Sequence, residues 1–556
     1  MQRMEAPGAE QAPTSRLAPA ATDLQRTILT ATLVAAVVRF LRLGHQSLWI
    51  DEQFTLAAAG LPGRLDWRDL LQNIHGPLHA LAVALAAAIG GPSEWVVRTP
   101  SALAGVAMVP AMAWLADRWS GRETVAPAAW LAAGSPFLVW YSQECRNYEF
   151  VMLATALSTA SLLELQRRAG ALGVARTVAL SLAGALSNLS FALLLPFHLR
   201  LWLAAGETRP QRMRALRIAA IVAVVAALPW LVAMGRIWDW SRLSPGREMH
   251  AGEVALRGQN TYHLAAVPFF LHTSLMGYSG GPSLRELRRG PAVAVRAHLP
   301  ELAVITLVFG VLGALGIAAV KRRGRLADVG VWLVAPALVV SYFAAQNFKV
   351  FHPRYLAVSV PCVLLILAAA FADLGPRLRR AFAVAVGLLW AVALARAAFD
   401  PAYGREDYRA ALEHVRAEFR PGERLLAMGA PEPVEWYGRG LPVARWWLGF
   451  AADPERMAQT LTDSLNAAPG TWVVGSRTED LDPEDRCARW LDQRVQPSQR
   501  WAARGVRVWH LRRPIPVLRE AKVPVMRKRV LGPRWAGPAA PSVRRALRRP
   551  PAVPGH

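Results

Sequence analysis

The chain has 556 residues, of which 53% are hydrophobic and 19% charged, with a formal net charge of +25. Soluble domains average about 25% charged residues. They have no use for recurring apolar runs of roughly 16–20 residues, the length that crosses a bilayer core, so a soluble enzyme is excluded. The basic excess sits mostly in short loops between such runs. Membrane orientation explains that placement, and no nucleic-acid partner is expected.

Residues 1–26 are rich in Ala, Pro and Thr and read as a disordered cytoplasmic N-terminus, not a signal peptide. Apolar spans are predicted near 27–43, 77–91, 101–116, 124–140, 149–165, 176–188, 190–204, 216–235, 302–320, 327–345, 355–373 and 380–399. Helices are forced there, because lipid offers no partner to an unpaired backbone group. The short basic stretches around Arg167–Arg168, Arg209–Arg217, Lys321–Arg325 and Arg377–Arg380 are expected to face the cytoplasm. Residues 236–300, 346–354 and the chain beyond 400 then face outward. The front end conflicts with this. If loop 44–76 is outside, three crossings between 77 and 140 put 142–148 inside, while the later charges put it outside. One of the three runs must be short, re-entrant or fused with its neighbour, and the total is about 11–13 spans.

Within 236–300, the apolar stretch 264–271 has polar flanks and suits an interfacial helix better than a span. Beyond 400 the apolar runs shrink to strand length, at Arg424–Met428, Trp472–Val474 and Val506–Leu511, beside a helical pattern at Asp407–Phe419. A small α/β domain outside the membrane is expected over 401–515. Residues 516–556 form a basic, Pro/Arg-rich disordered tail suited to an anionic lipid surface. The three cysteines, Cys145, Cys362 and Cys487, form no CxxC and signal neither a disulfide framework nor a thiolate metal site.

Four clusters carry chemistry. The run Ser47-Leu48-Trp49-Ile50-Asp51-Glu52-Gln53 puts two adjacent carboxylates just after the first span. Partial desolvation would raise a carboxylate's pKa and suit it to act as general base, against a plainer role as interfacial charge. His75 and His79 flank Pro77 four residues apart, a candidate metal or phosphate pair. Glu144 and Arg146 sit in a very short link between apolar runs, where ionisable groups are costly and usually line a cavity. Arg146 can clamp a phosphate through two parallel hydrogen bonds. Lys349, His352, Arg354 and Tyr355 open another span, either as an anion site or as snorkelling anchors. The predicted topology brings all four clusters to one membrane face. Together they suit group transfer from a phosphate-linked donor: an acid–base group takes the acceptor's proton and cations stabilise the departing phosphate.

At these residues the sequence resembles the bacterial branch of the GT-C membrane glycosyltransferases, the protein-mannosyltransferase-like family that includes aminoarabinose transferases. SLWIDEQFT is similar to that family's first-loop Asp-Glu motif, HGPLHALA to its His-x-Pro-Leu element, and residues 93–105 (SEWVVRTPSALAG) to the segment before its third span. SPFLVWYSQECRNYEF resembles its Tyr-Ser-Gln-Glu-x-Arg-x-Tyr stretch, with Cys145 and Asn147 departing from the small and apolar residues expected there. Residues 277–289 resemble a loop of this branch, HPRYLAVSVPCVLL its Arg-Tyr element, and DYRAALEHV the start of its outer domain. The resemblance runs in order over residues 27–430.

The resemblance implies an all-α polytopic membrane protein of GT-C type, with a transmembrane domain over 27–400 and a small C-terminal α/β extracytoplasmic domain. It implies a bacterial-type inner membrane and a site on the extracytoplasmic side. The implied activity moves a sugar from a polyprenyl-phosphate donor to an acceptor hydroxyl, by single displacement with inversion; the acceptor is a glycan, a lipid or a protein. Asp51 inherits the role of catalytic base, with Glu52 beside it. Arg146 and Arg354 are expected near the lipid phosphate, with Lys349 and Tyr355; His75, His79, Glu144 and His352 are substrate or metal contacts. Some members of the family bind a divalent metal and others do not, so a metal is left open. Two other readings fit the same residues: a flippase or transporter of lipid-linked glycans, and a non-catalytic subunit of cell-envelope assembly. A transporter often shows inverted repeats, and none is visible in the sequence.

Overall fold

The computed structural model describes residues 21–71, 75–168, 170–203, 265–346, 351–446, 466–478, 485–493 and 499–512, with scattered positions between 217 and 235 and at 462, 463 and 496. The expected N-terminal segment up to residue 20, the span at 216–235, Lys349 and the tail after 512 lie outside the described residues.

The chain opens with α1 (Ala21–Phe40), α2 (Ile50–Ala58) and α3 (Trp67–Leu71), then α4 (Pro77–Gly90), α5 (Glu94–Trp119), α6 (Val125–Gly134), α7 (Pro136–Ser142), α8 (Tyr148–Arg167), α9 (Ala171–Ser187) and α10 (Leu195–Leu203). It continues with α11 (Ala266–Met276), α12 (Leu299–Arg322), α13 (Leu326–Ala345), α14 (Pro353–Asp373) and α15 (Pro376–Phe399). Among the described residues six helices, α5, α8, α12, α13, α14 and α15, are long and apolar enough to cross a membrane. They fall on the runs read at 101–116, 149–165, 302–320, 327–345, 355–373 and 380–399. α14 is buried along nearly its whole length, whereas α12, α13 and α15 turn Leu307, Leu338 and Leu388 outward. Outward leucines are what a hydrocarbon solvent demands.

The run at 124–140 is one path in two helices. Ser135 caps Leu138 N–H at 3.4 Å and Pro136 opens α7, a residue pair that starts a new helix instead of extending the old one. The 264–271 stretch is the 11-residue α11, about half the length a crossing needs.

The conflict at the front end is resolved by α4. Its first turn is tied to the start of α8 and to α5: His75, just ahead of it, meets Arg146, and His79 meets Ser101. Its last residue is followed within four residues by α5, and the start of α5 is fixed to the loop after α1, where Arg98 donates to the carbonyls of Leu43 and Gln46 at 3.0 and 2.8 Å. The helix therefore enters and leaves on one face. Only α5 and the α6–α7 path cross between 91 and 142, which returns 142–148 to the face of Asp51. The opposite face gathers the basic loops: Arg323 and Arg325 donate to the carbonyls of Ser120 and Trp119, and Arg323 pairs with Asp373 at 2.7 Å.

The C-terminal domain holds α16 (Tyr408–Glu418), β1 (Arg424–Met428), α17 (Pro431–Tyr437), β2 (Val443–Trp446), β3 (Gly470–Ser476), α18 (Arg486–Asp492), β4 (Arg500–Ala503) and β5 (Val506–Arg512). The sheet order is β2-β1-β3-β5-β4, with β1 parallel to β2 and β3, and β5 antiparallel to β3 and β4. Side chains alternate along β1: Leu425 and Ala427 pack with α16 and α17, Leu426 and Met428 with α18. The domain is docked on the site face. Ser47 Oγ donates to Glu406 O at 2.7 Å, and the Tyr437 hydroxyl accepts from Leu48 N–H at 2.7 Å and donates to Glu94 at 2.8 Å.

Candidate active site

The site starts from the turn that follows α1. Asp51 and Glu52 occupy the first turn of α2, where exposed N–H groups and the helix dipole favour negative charge. Successive residues on a helix point about 100° apart, so the two neighbouring acids meet different surroundings. Glu52 turns inward and is fully buried. Its oxygens accept from Arg98 Nε and Nη2 at 2.8 and 2.7 Å, from Cys145 N–H at 2.7 Å and from Trp49 N–H at 3.3 Å. Arg405 lies 3.7 Å away. Burial lifts the Glu52 carboxyl, but Arg98 and the other donors outweigh it and keep it ionised below the usual range.

Asp51 turns the other way and pairs with Arg354 Nη1. Arg146 holds the turn from behind, donating to Asp51 O at 2.8 Å and to Thr55 Oγ1 at 3.1 Å, while its Nη2 meets His75 Nε2 at 2.6 Å. Burial raises the Asp51 carboxyl, yet Arg354, Arg146 and Arg477 outweigh it and hold it well below the usual carboxylate range. The Arg354 guanidinium lies over the rings of Tyr148 and Tyr355, at 5.7 and 5.6 Å.

In front of Arg354 opens a cavity lined by Trp49, Trp140, Tyr141, Glu144, Tyr278, His352 and five arginines: Arg285, Arg288, Arg354, Arg405 and Arg477. Two of these, Arg405 and Arg477, come from the C-terminal part of the chain, and their guanidiniums stack over Trp49 at 5.7 and 5.6 Å. Arg405 also pairs with Glu144 at 3.1 Å. Burial, with Glu52 and Asp51 nearby, pushes Glu144 up to about 7 against the pull of Arg405 and Arg354. His352 is held well below the usual imidazole range by burial and by Arg354, so it is neutral. Arg354 Nε, Arg405 Nε and Trp49 Nε1 are buried and have no acceptor among the described residues. Lined by cations and offering unpaired N–H groups, the cavity is built for an anion.

Of the residues singled out in the sequence, Asp51, Glu52, Glu144, Arg146, His75, His352, Arg354 and Tyr355 converge here. His79 is tied to Ser101 Oγ at 3.0 Å and stacks edge-on against Phe150, away from the cavity lining. Among the described residues no group of three His, Cys, Asp or Glu is placed to hold a metal ion. The acids closest together, Asp51, Glu52 and Glu144, are each paired with arginine, a set that does not fit a dication. Sequence reasoning missed Arg98 as the partner of Glu52; an arginine just ahead of a long apolar run was the available signal. It also missed Arg405 and Arg477, for which no local signal existed.

No family model and no curated protein matches the chain. Solved structures do. ArnT from Cupriavidus metallidurans, in its apo state, superposes with a TM-score of 0.56 at 16% identity, covering 88% of this chain and 98% of ArnT. The same protein bound to undecaprenyl phosphate gives 0.52 at 15%, with the same coverage. The chain has the GT-C fold. The Archaeoglobus fulgidus oligosaccharyltransferase, crystallised with zinc and sulfate, aligns more loosely, at 0.47 and 14% over 84% of this chain and 69% of its own. The chain beyond residue 400 lends Arg405 and Arg477 to the cavity lining, and Arg354, the partner of Asp51, lines it from the membrane domain.

Proposed function

We propose that the chain is a glycosyltransferase that takes a sugar from a polyprenyl-phosphate donor and passes it to an acceptor hydroxyl on the extracytoplasmic side, by single displacement with inversion. The observation that carries the reading is a carboxylate and an arginine, Asp51 and Arg354, paired at the wall of an arginine-lined cavity. The likeness in fold to ArnT, which has been solved bound to undecaprenyl phosphate, supports a donor of this kind. Asp51 accepts the acceptor's hydroxyl proton. The acceptor oxygen bonds to the anomeric carbon as the bond from that carbon to the phosphate oxygen breaks, and the polyprenyl phosphate leaves as an anion. Arg354 stabilises the charge it carries away.

Arg146 takes a different part from the one its sequence position suggests. Both its terminal nitrogens are committed, to Asp51 O, Thr55 and His75, and it is absent from the cavity lining. It positions the Asp51 turn. Glu52, saturated by Arg98 and two backbone N–H groups, does the same from the other side.

The test is transfer of labelled sugar from a polyprenyl-phosphate donor by purified protein in lipid, with Asp51→Asn alongside. Loss of transfer in a folded variant, on the order of a hundredfold or more, is expected for removal of a general base. Full activity in Asp51→Asn would overturn the assignment. Movement of lipid-linked sugar across vesicles without transfer would point to a flippase.

A further inference from the structure

The pairing of Asp51 with Arg354 poses a difficulty for the reading above, on which this inference rests. A carboxylate held by a guanidinium is a poor base, and that guanidinium is the one the donor phosphate needs. We propose that the pair is a latch released by the donor: the arriving phosphate draws Arg354 to itself, and only then is the Asp51 carboxylate freed to take the acceptor's proton.

Four observations support it. Arg354 lines the cavity while Asp51 does not, so an anion entering the cavity meets the arginine first. Arg354 Nε is buried and has no acceptor among the described residues, leaving a donor for the newcomer. The rings of Tyr148 and Tyr355, at 5.7 and 5.6 Å, confine the guanidinium. Asp51 cannot follow it, because Arg146 holds its carbonyl at 2.8 Å and the Glu52–Arg98 pair pins the next residue at 2.7 Å. Two anions thus contend for one cation, and each weakens the other's hold. Such coupling is reciprocal: the phosphate loosens Asp51 by the same factor by which Asp51 opposes the phosphate. The enzyme is therefore basic at Asp51 only when loaded, and the donor binds before the acceptor is activated.

The experiment is calorimetric binding of a short-chain polyprenyl monophosphate, carrying no sugar, to the full chain in lipid nanodiscs. Wild type, Asp51→Asn, Asp51→Ser and Arg354→Gln are compared, each first checked for wild-type thermal unfolding. Removing the competing carboxylate should tighten binding about tenfold in both Asp51 variants, a typical size for coupling between sites, although Asp51→Asn is expected to lose transfer. Arg354→Gln should lose most binding. Unchanged or weaker binding in the Asp51 variants, with Arg354→Gln still defective, would overturn the latch and leave the donor assignment standing. Wild-type binding by Arg354→Gln would overturn both.

Discussion

The brace behind the base can be broken by a single change, Arg98→Met. Arg98 is 1% exposed and Glu52 fully buried. The guanidinium makes five hydrogen bonds: two to Glu52, at 2.8 and 2.7 Å, and one each to the carbonyls of Leu43, Gln46 and Ser47, at 3.0, 2.8 and 3.2 Å. Methionine fills most of the volume but supplies none of them. Glu52 would keep the N–H groups of Cys145 and Trp49 and a more distant Arg405, and lose its nearest countercharge. Removing one partner of a buried ion pair costs about 3–5 kcal/mol. A loss of about 4 kcal/mol is expected here, because two N–H groups remain on the carboxylate. In the double variant Arg98→Met/Glu52→Gln neither charge of the pair is left, and more than half of the loss should be recovered. The assay is a double-mutant cycle on unfolding in detergent, followed by tryptophan fluorescence, with transfer activity measured in parallel. A loss below about 1 kcal/mol, the range of exposed pairs, or strictly additive single changes, would refute the brace.

Glu144 titrates at about 7 in the fold against 4.5 for an ordinary glutamate, so the folded state holds an extra proton between those values. Stability should therefore fall as pH rises through that window. Melting curves of wild type against Glu144→Gln from pH 4.5 to 7 should converge or cross, and parallel curves would count against the assignment. A Cβ on Gly105 would meet Ser142 Oγ at 2.0 Å and Arg39 Nε at 2.6 Å, so Gly105→Ala should cost about 1–3 kcal/mol in thermal unfolding as α5 is pushed from α7. Cysteines placed in a Cys-free background at the exposed positions Arg64, Ser93 and Arg122 test the path of α4. The first two should react with a membrane-impermeant thiol reagent from one side and the third from the other; Ser93→Cys reacting with Arg122→Cys would mean that α4 crosses.

The long helices were legible because their information is local: 18 or more apolar residues in a row admit one structure in lipid. The strands β1, β3 and β5 were legible for a similar reason, being apolar runs bounded by turns. β2 and β4 were not; each has four residues with an arginine among them and lies at an edge of the sheet, where neither burial nor alternation leaves a pattern. α4 reads as a span because its composition is apolar throughout. Its 14 residues reach about 21 Å, short of a bilayer core of about 30 Å, and tertiary ties decide the rest. At the site, the residue types were legible and their partners were not. Arg405 meets Glu144 across 261 positions of sequence, and no local pattern carries that.

The clearest case is the Asp51-Glu52 pair, which the sequence presents as two equivalent acids. The helix separates them. With each residue advancing the direction by about 100°, the two neighbours turn to different surroundings, one to Arg98 and the other to Arg354. Glu52 meets Arg98, which does not line the cavity, and becomes part of the frame. Asp51 meets an arginine that belongs to the cavity as much as to it. An acid shared with a ligand-facing cation has a charge state that can answer to a ligand. That asymmetry supports the proposed role of Asp51 as base, and with it the prediction that Glu52→Gln acts mainly on stability while Asp51→Asn acts on transfer.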